Sequence, residues 1–137
     1  MSARTKARKR AIDLLYGADL REISLNQAIE MEAERAKADP NRWNSWVYAR
    51  QIVEGIAEHG DEIDELIETY AQGWTINRMP VTDRAIIRIG IWEILFNDEV
   101  PDGVAIDEAV EAAKSLSTDD SGSFVNGLLG RIAQTRA

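Results

Sequence analysis

A chain of 137 residues with 45% apolar and 29% charged side chains can build one compact domain around a hydrophobic core, and this composition excludes a disordered polymer. Without cysteine there is no disulfide framework and no thiolate metal site, and no apolar run reaches the roughly 20 residues of a membrane helix. A net charge of −8 argues against indiscriminate nucleic-acid binding, and the polar, basic start lacks the apolar stretch of a secretory signal, so a cytoplasmic protein is expected.

From the N-terminus, Ala7, Ala11, Leu14, Leu15 and Ala18 recur at helical spacing and give the first helix one apolar face. Leu25, Ala28, Ile29, Ala33 and Ala36 predict a second helix with Ser24 as its N-cap, and Pro40 marks a loop after it. A third helix carries Trp46, Ala49, Ile52, Val53, Ile56 and Ala57 and stops near Gly60. Asp61 is the expected cap of a fourth, with Ile63, Leu66, Ile67, Tyr70, Ala71 and Trp74. Thr75 to Val81 reads as a connection.

Between Ala85 and Phe96 the pattern changes, because nine of twelve residues are apolar and occupy more than one helix face. Only the central helix of a bundle can bury so much. A sixth helix follows Pro101 with Val104, Ile106, Ala109, Val110, Ala113 and Leu116. The cap formers Ser117 to Asp120 lead into a last one with Phe124, Val125, Leu128, Leu129 and Ile132. A strand over Ala85–Ile91 lacks alternation and any neighbouring hairpin turn. The predicted fold is all-α, with about seven short helices packed as one bundle or two fused ones.

The residues offer no catalytic constellation. The sole histidine, His59, ends the third helix, where capping or exposure is expected. Asp61, Glu62, Asp64, Glu65 and Glu68 spread over a polar helix face. Gly122, Gly127 and Gly130 lack the strand and lysine of a phosphate loop. The expectation is a non-enzyme without metal or cofactor.

Charge, in contrast, is unevenly placed. Residues 1–10 carry Arg4, Lys6, Arg8, Lys9 and Arg10 and no acid, while the other 127 residues balance to −13. Such an arm points to a polyanionic partner, although defence against aggregation or pairing with acids of the body would also account for it. A basic run at a helix N-terminus opposes the local dipole, which favours the partner. Tyr16, two turns past Arg8, extends that surface or belongs to the core. Ser121, Ser123, Phe124 and Asn126 at the start of the last helix offer hydrogen bonds and a ring suited to single-stranded RNA, with capping as the plain alternative.

The string Asp83-Arg84-Ala85-Ile86-Ile87-Arg88-Ile89-Gly90, then Val100-Pro101, Val104-Ala105-Ile106-Asp107-Glu108-Ala109-Val110, Ala113-Lys114 and Ser121 through Gly127, resembles the NusB family of bacterial transcription antitermination factors. Ala7 to Ala11 and Leu15-Tyr16 are similar to that family's first helix. The likeness spans essentially the whole chain, densest from Val81 to Arg131.

It implies one NusB-like domain over residues 1–137, made of two fused three-helix subdomains at about 1–75 and 76–137. It also implies binding of boxA-type single-stranded RNA from ribosomal-RNA leader transcripts, together with the ribosomal protein NusE, in an antitermination complex on RNA polymerase. Carried onto this sequence, the RNA surface is Arg4, Lys6, Arg8, Lys9, Arg10, Tyr16, Asp120, Ser121 and Phe124, and the NusE contact is Asp83. Two positions depart from the family: Asp107 stands where asparagine is common, and Gly122-Ser123 where some members place a basic residue. Modest RNA affinity and more dependence on NusE are therefore expected. The competing class is a protein-interaction module such as a homodimer, with one of Trp43, Trp46, Trp74 or Trp92 at its interface.

Overall fold

The structure, a computed structural model, describes residues 2–136. Among them are seven α-helices and no strand: α1 (Ala3–Arg21), α2 (Leu25–Lys37), α3 (Pro40–Glu58), α4 (Gly60–Tyr70), α5 (Val81–Phe96), α6 (Asp102–Leu116) and α7 (Ser121–Gln134), with one 3₁₀ turn at Ile76–Arg78. The all-α expectation holds. No helix is long and apolar enough to cross a membrane among the described residues.

Backbone contacts divide the chain into two compact units, one ending at Glu58 and the other beginning at His59. The division falls earlier than the residue-75 boundary expected from sequence, because α4 packs against α5 and α7. A break in apolar period marks the end of a helix, not the unit to which it belongs.

In the first unit α1 and α2 both pack on α3. Ser2 Oγ accepts from the Thr5 amide at 3.0 Å, and α1 ends where Glu22 turns left-handed at φ 55°. The α1 face consists of Ala7, Ala11, Ile12, Leu15 and Ala18, all buried, and α1 packs on α3, whose Trp46, Ala49, Ile52 and Val53 are buried as well. Ser24 caps α2 as expected, accepting from the Gln27 amide at 3.1 Å. Pro40 corrects the sequence reading. It opens α3 rather than a loop, since the first helical position needs no amide donor.

In the second unit α5 is the central helix, contacted by α4, α6 and α7. Ile86, Ile87, Ile91 and Ile94 are essentially inaccessible to solvent. Gly90 allows a close approach to α7, because a Cβ there would lie 2.6 Å from Leu129 Cδ1 and force that side chain to shift. Arg88 on α5 makes a two-pronged ion pair with Asp64 on α4, at 2.9 and 3.2 Å. Arg136 donates to the Ile94 carbonyl and to Asp102 Oδ1, tying the chain's last turn to α5 and α6.

His59 is neither a side-chain cap nor a freely exposed residue. Its ring stacks on Phe96 with centroids 3.8 Å apart and planes 8° from parallel. Asp61 lies inside the first turn of α4, two places beyond the cap position, which His59 occupies. The tryptophans separate cleanly: Trp46 and Trp92 are core, whereas Trp43 and Trp74 are about half exposed.

Candidate nucleic-acid interface

The five cations of the N-terminal segment fall into two groups, and helical geometry does the sorting. Arg8 follows Ala7 on the side of α1 that packs on α3, and only 7% of it is exposed. Its guanidinium and that of Arg4 lie over the ring of Tyr48 on α3, at 5.9 and 4.6 Å from the centroid. Arg10 is held from three directions. It pairs with Glu32 of α2 and donates to the Arg42 carbonyl at 2.8 Å and to Ser45 Oγ at 3.0 Å.

Lys6 and Lys9, in contrast, are exposed. At 100° per residue they share a face with Asp13 and Tyr16. Tyr16 is 42% exposed, so its ring is available on the same stripe as the two lysines rather than in the core. Asp13 sits within that stripe. Partial desolvation raises its carboxyl above the ordinary 3.8, against the lowering influence of Lys9 and Arg10. Of the residues expected at the RNA, Lys6, Lys9 and Tyr16 are exposed on one face of α1, Arg4 is half-buried, and Arg8 and Arg10 are turned into the protein as fastenings.

The second unit builds a different surface around the start of α7. Ser121, expected at the RNA, is buried. Its Oγ donates to Asp83 Oδ2 at 2.9 Å and lies within hydrogen-bond range of Thr118 Oγ1 and Ser117 Oγ. It fastens α7 to α5. Asp83 is itself only 4% exposed, and its Oδ1 has no hydrogen-bond partner. A buried carboxylate oxygen left so is costly and calls for a donor.

Asp83 lines an open groove of about 470 Å³ with Trp74, Met79, Pro80 and Phe124, and with Arg78 and Asp120 on its edge. The Trp74 and Phe124 rings stand 6.0 Å apart at 50°. Apolar period alone places Trp74 on the apolar face of α4. Left-handed turns at Gln72 (φ 52°) and Gly73 (φ 94°) end that helix and carry the indole outward instead. The glycine just before it is the signal that could have identified it. Asp120 is exposed at the N-cap position of α7 and makes no side-chain cap bond. This groove, holding two acids and one arginine, is unsuited to phosphates. Its rings suit stacking, and its carboxylate suits a donor.

A family model described as the NusB family matches residues 5–134. A protein of Leifsonia xyli subsp. xyli named transcription antitermination protein NusB is 68% identical over 136 residues, covering 99% of this chain and 94% of that one. Among solved structures, T. maritima NusB superposes with a TM-score of 0.83 at 36% identity, covering 96% of this chain and 90% of that one. A crystal structure of antitermination factors NusB and NusE in complex with double-stranded RNA gives a TM-score of 0.82 at 27% identity and covers 98% of each chain.

Proposed function

Since the chain belongs to the NusB family, we propose that it is a transcription antitermination factor that binds boxA-type single-stranded RNA together with NusE. In that role it joins the antitermination complex on RNA polymerase, in the cytoplasm where the transcript emerges, and it works by binding, without catalysis.

One observation carries the RNA assignment: Lys6, Lys9 and Tyr16 stand exposed on a single face of α1 in a protein that is otherwise strongly acidic. Two ammonium groups neutralise phosphates, and the phenol offers a stacking surface between successive bases. Phe124 contacts a base at the second surface, where Asp120 stands close enough to RNA to oppose it. The negative body disfavours polyanions at large and attracts a basic ribosomal protein.

For NusE the candidate contact is Asp83. Its unpaired oxygen is a buried acceptor, so a lysine, arginine or amide of the partner reaching into the groove would satisfy it. A charge-assisted bond in such a place is stronger than one on an open surface.

The test is titration of a boxA RNA and a scrambled RNA of equal length into the chain, alone and with NusE. Preference for boxA that grows when NusE is present is the expected result, and equal binding of both RNAs in both conditions refutes the proposal. A homodimer is the rival state, favoured by the exposed pair Trp43 and Val47 one turn apart on α3. Light scattering with and without RNA decides it, since a dimer left intact by RNA speaks for the rival.

A further inference from the structure

Among the described residues of the first unit the one buried carboxylate is Glu32, on α2, and arginines from three helices meet it. Its side chain is 8% exposed. Oε1 takes Arg10 and, at 3.3 Å, Arg42, while Oε2 takes Arg35 at 3.5 Å. These guanidiniums come from three helices, and Arg21 joins them around a groove between α1 and α2. A single well-placed arginine is enough to compensate a buried carboxylate. Three are more than its burial requires. Arg35 and Arg42 remain about half exposed, with long contacts that a competing anion could replace, and Arg42 also meets the exposed Asp39 at 3.5 Å.

We infer that Glu32 is a specificity-determining residue that occupies, as an internal counterion, the place an RNA phosphate would otherwise take among Arg10, Arg35 and Arg42. Phosphate contacts add affinity without reading sequence. By holding three guanidiniums at one carboxylate, Glu32 limits the contribution of the first unit to that sequence-blind part, and leaves the Lys6–Lys9 stripe as the main phosphate contact. The inference rests on the RNA-binding reading above. It adds a residue that touches no RNA and acts through its neighbours.

The experiment compares wild type, Glu32→Gln and the charge-conserving Glu32→Asp for binding of boxA RNA and a scrambled RNA across a range of salt. Each guanidinium released to a phosphate steepens the log–log salt slope by about 0.7 for a single strand, or roughly five- to tenfold in affinity at about 50 mM salt. Glu32→Gln is therefore expected to tighten scrambled RNA by at least about fivefold and to shrink the boxA preference, with Glu32→Asp close to wild type. Arg10→Gln is expected to leave the slope unchanged in wild type and to lower it in the Glu32→Gln background, a contrast that a purely structural role for Glu32 does not give.

If Glu32→Gln does not fold, as circular dichroism would reveal, Arg35→Gln combined with Arg42→Gln in the intact chain decides. An unchanged slope supports the counterion role, and a shallower one overturns it, because those cations would already be on the RNA. Wild type that fails to prefer boxA removes the function itself. Wild type that prefers boxA, with a folded Glu32→Gln that behaves identically, removes only Glu32.

Discussion

The start of α1 and the groove beside α7 are surfaces built by opposite physical means. The first is a helix face with two exposed lysines and a tyrosine over a layer of arginines turned inward. The second holds two aromatic rings and a buried carboxylate with one oxygen unpaired. Under the proposed function, one surface would supply salt-dependent affinity and the other stacking and a directed acceptor. The difference teaches that a count of cations in a sequence is not a count of cations on a surface. Of the five in residues 1–10, Arg8 and Arg10 are spent inside the protein.

The largest expected effect breaks that inward layer. Arg8→Ala removes a buried side chain whose guanidinium lies over the Tyr48 ring and should destabilise the first unit by about 2–3 kcal/mol, while Lys9→Ala on the exposed stripe should stay within about 0.5 kcal/mol. Urea unfolding followed by circular dichroism measures both, and equal losses would show that the two residues are not on different sides of α1. Next comes the groove. Phe124→Ala should weaken boxA binding by about 1–3 kcal/mol with the salt slope unchanged, because a stacked ring carries no charge. Should the slope fall with the affinity, the contrast between the two surfaces is lost.

A smaller change sharpens the same contrast. Asp120→Asn removes a negative charge at the edge of the groove, and RNA should bind a few-fold more tightly, by up to about 1 kcal/mol. Weaker binding would mean that Asp120 holds a donor instead of opposing a phosphate.

The smallest effect concerns Asp13, between the lysine stripe and Glu32. Its carboxyl is raised by desolvation, so the fold prefers the neutral form. The stability this contributes is present below the unfolded value near 3.8 and is lost as pH rises through the higher folded value. Asp13→Asn should flatten that loss in the window just above pH 3.8, seen as a smaller drift of the urea midpoint with pH. An unaltered drift would place the titration elsewhere.

Helix type was legible throughout, because each helix buries one face at period 3.6 and α5 buries nearly all of its own. Two residues of the family motifs that are far apart in the chain, Asp83 and Ser121, touch. Other features were hidden for identifiable reasons. Proline breaks a helix interior but begins a helix equally well, so Pro40 carried two meanings and local pattern favoured neither. The partners of Arg8 and Arg10 lie on other helices, at Tyr48 and Glu32, and nothing near residue 10 announces them. His59 followed the same course, since its stacking partner Phe96 is remote in sequence. For Trp74 the apolar period extends across Gly73, but the backbone has already turned there.

The central claim is that the exposed lysines of α1, and not the arginines beneath them, hold RNA phosphates. It is tested most directly by the salt dependence of boxA binding for wild type and for the chain carrying Lys6→Ala with Lys9→Ala. The expected result is a log–log slope shallower by about 1.4, two contacts at roughly 0.7 each. A slope identical to wild type in a normally folded variant would contradict it.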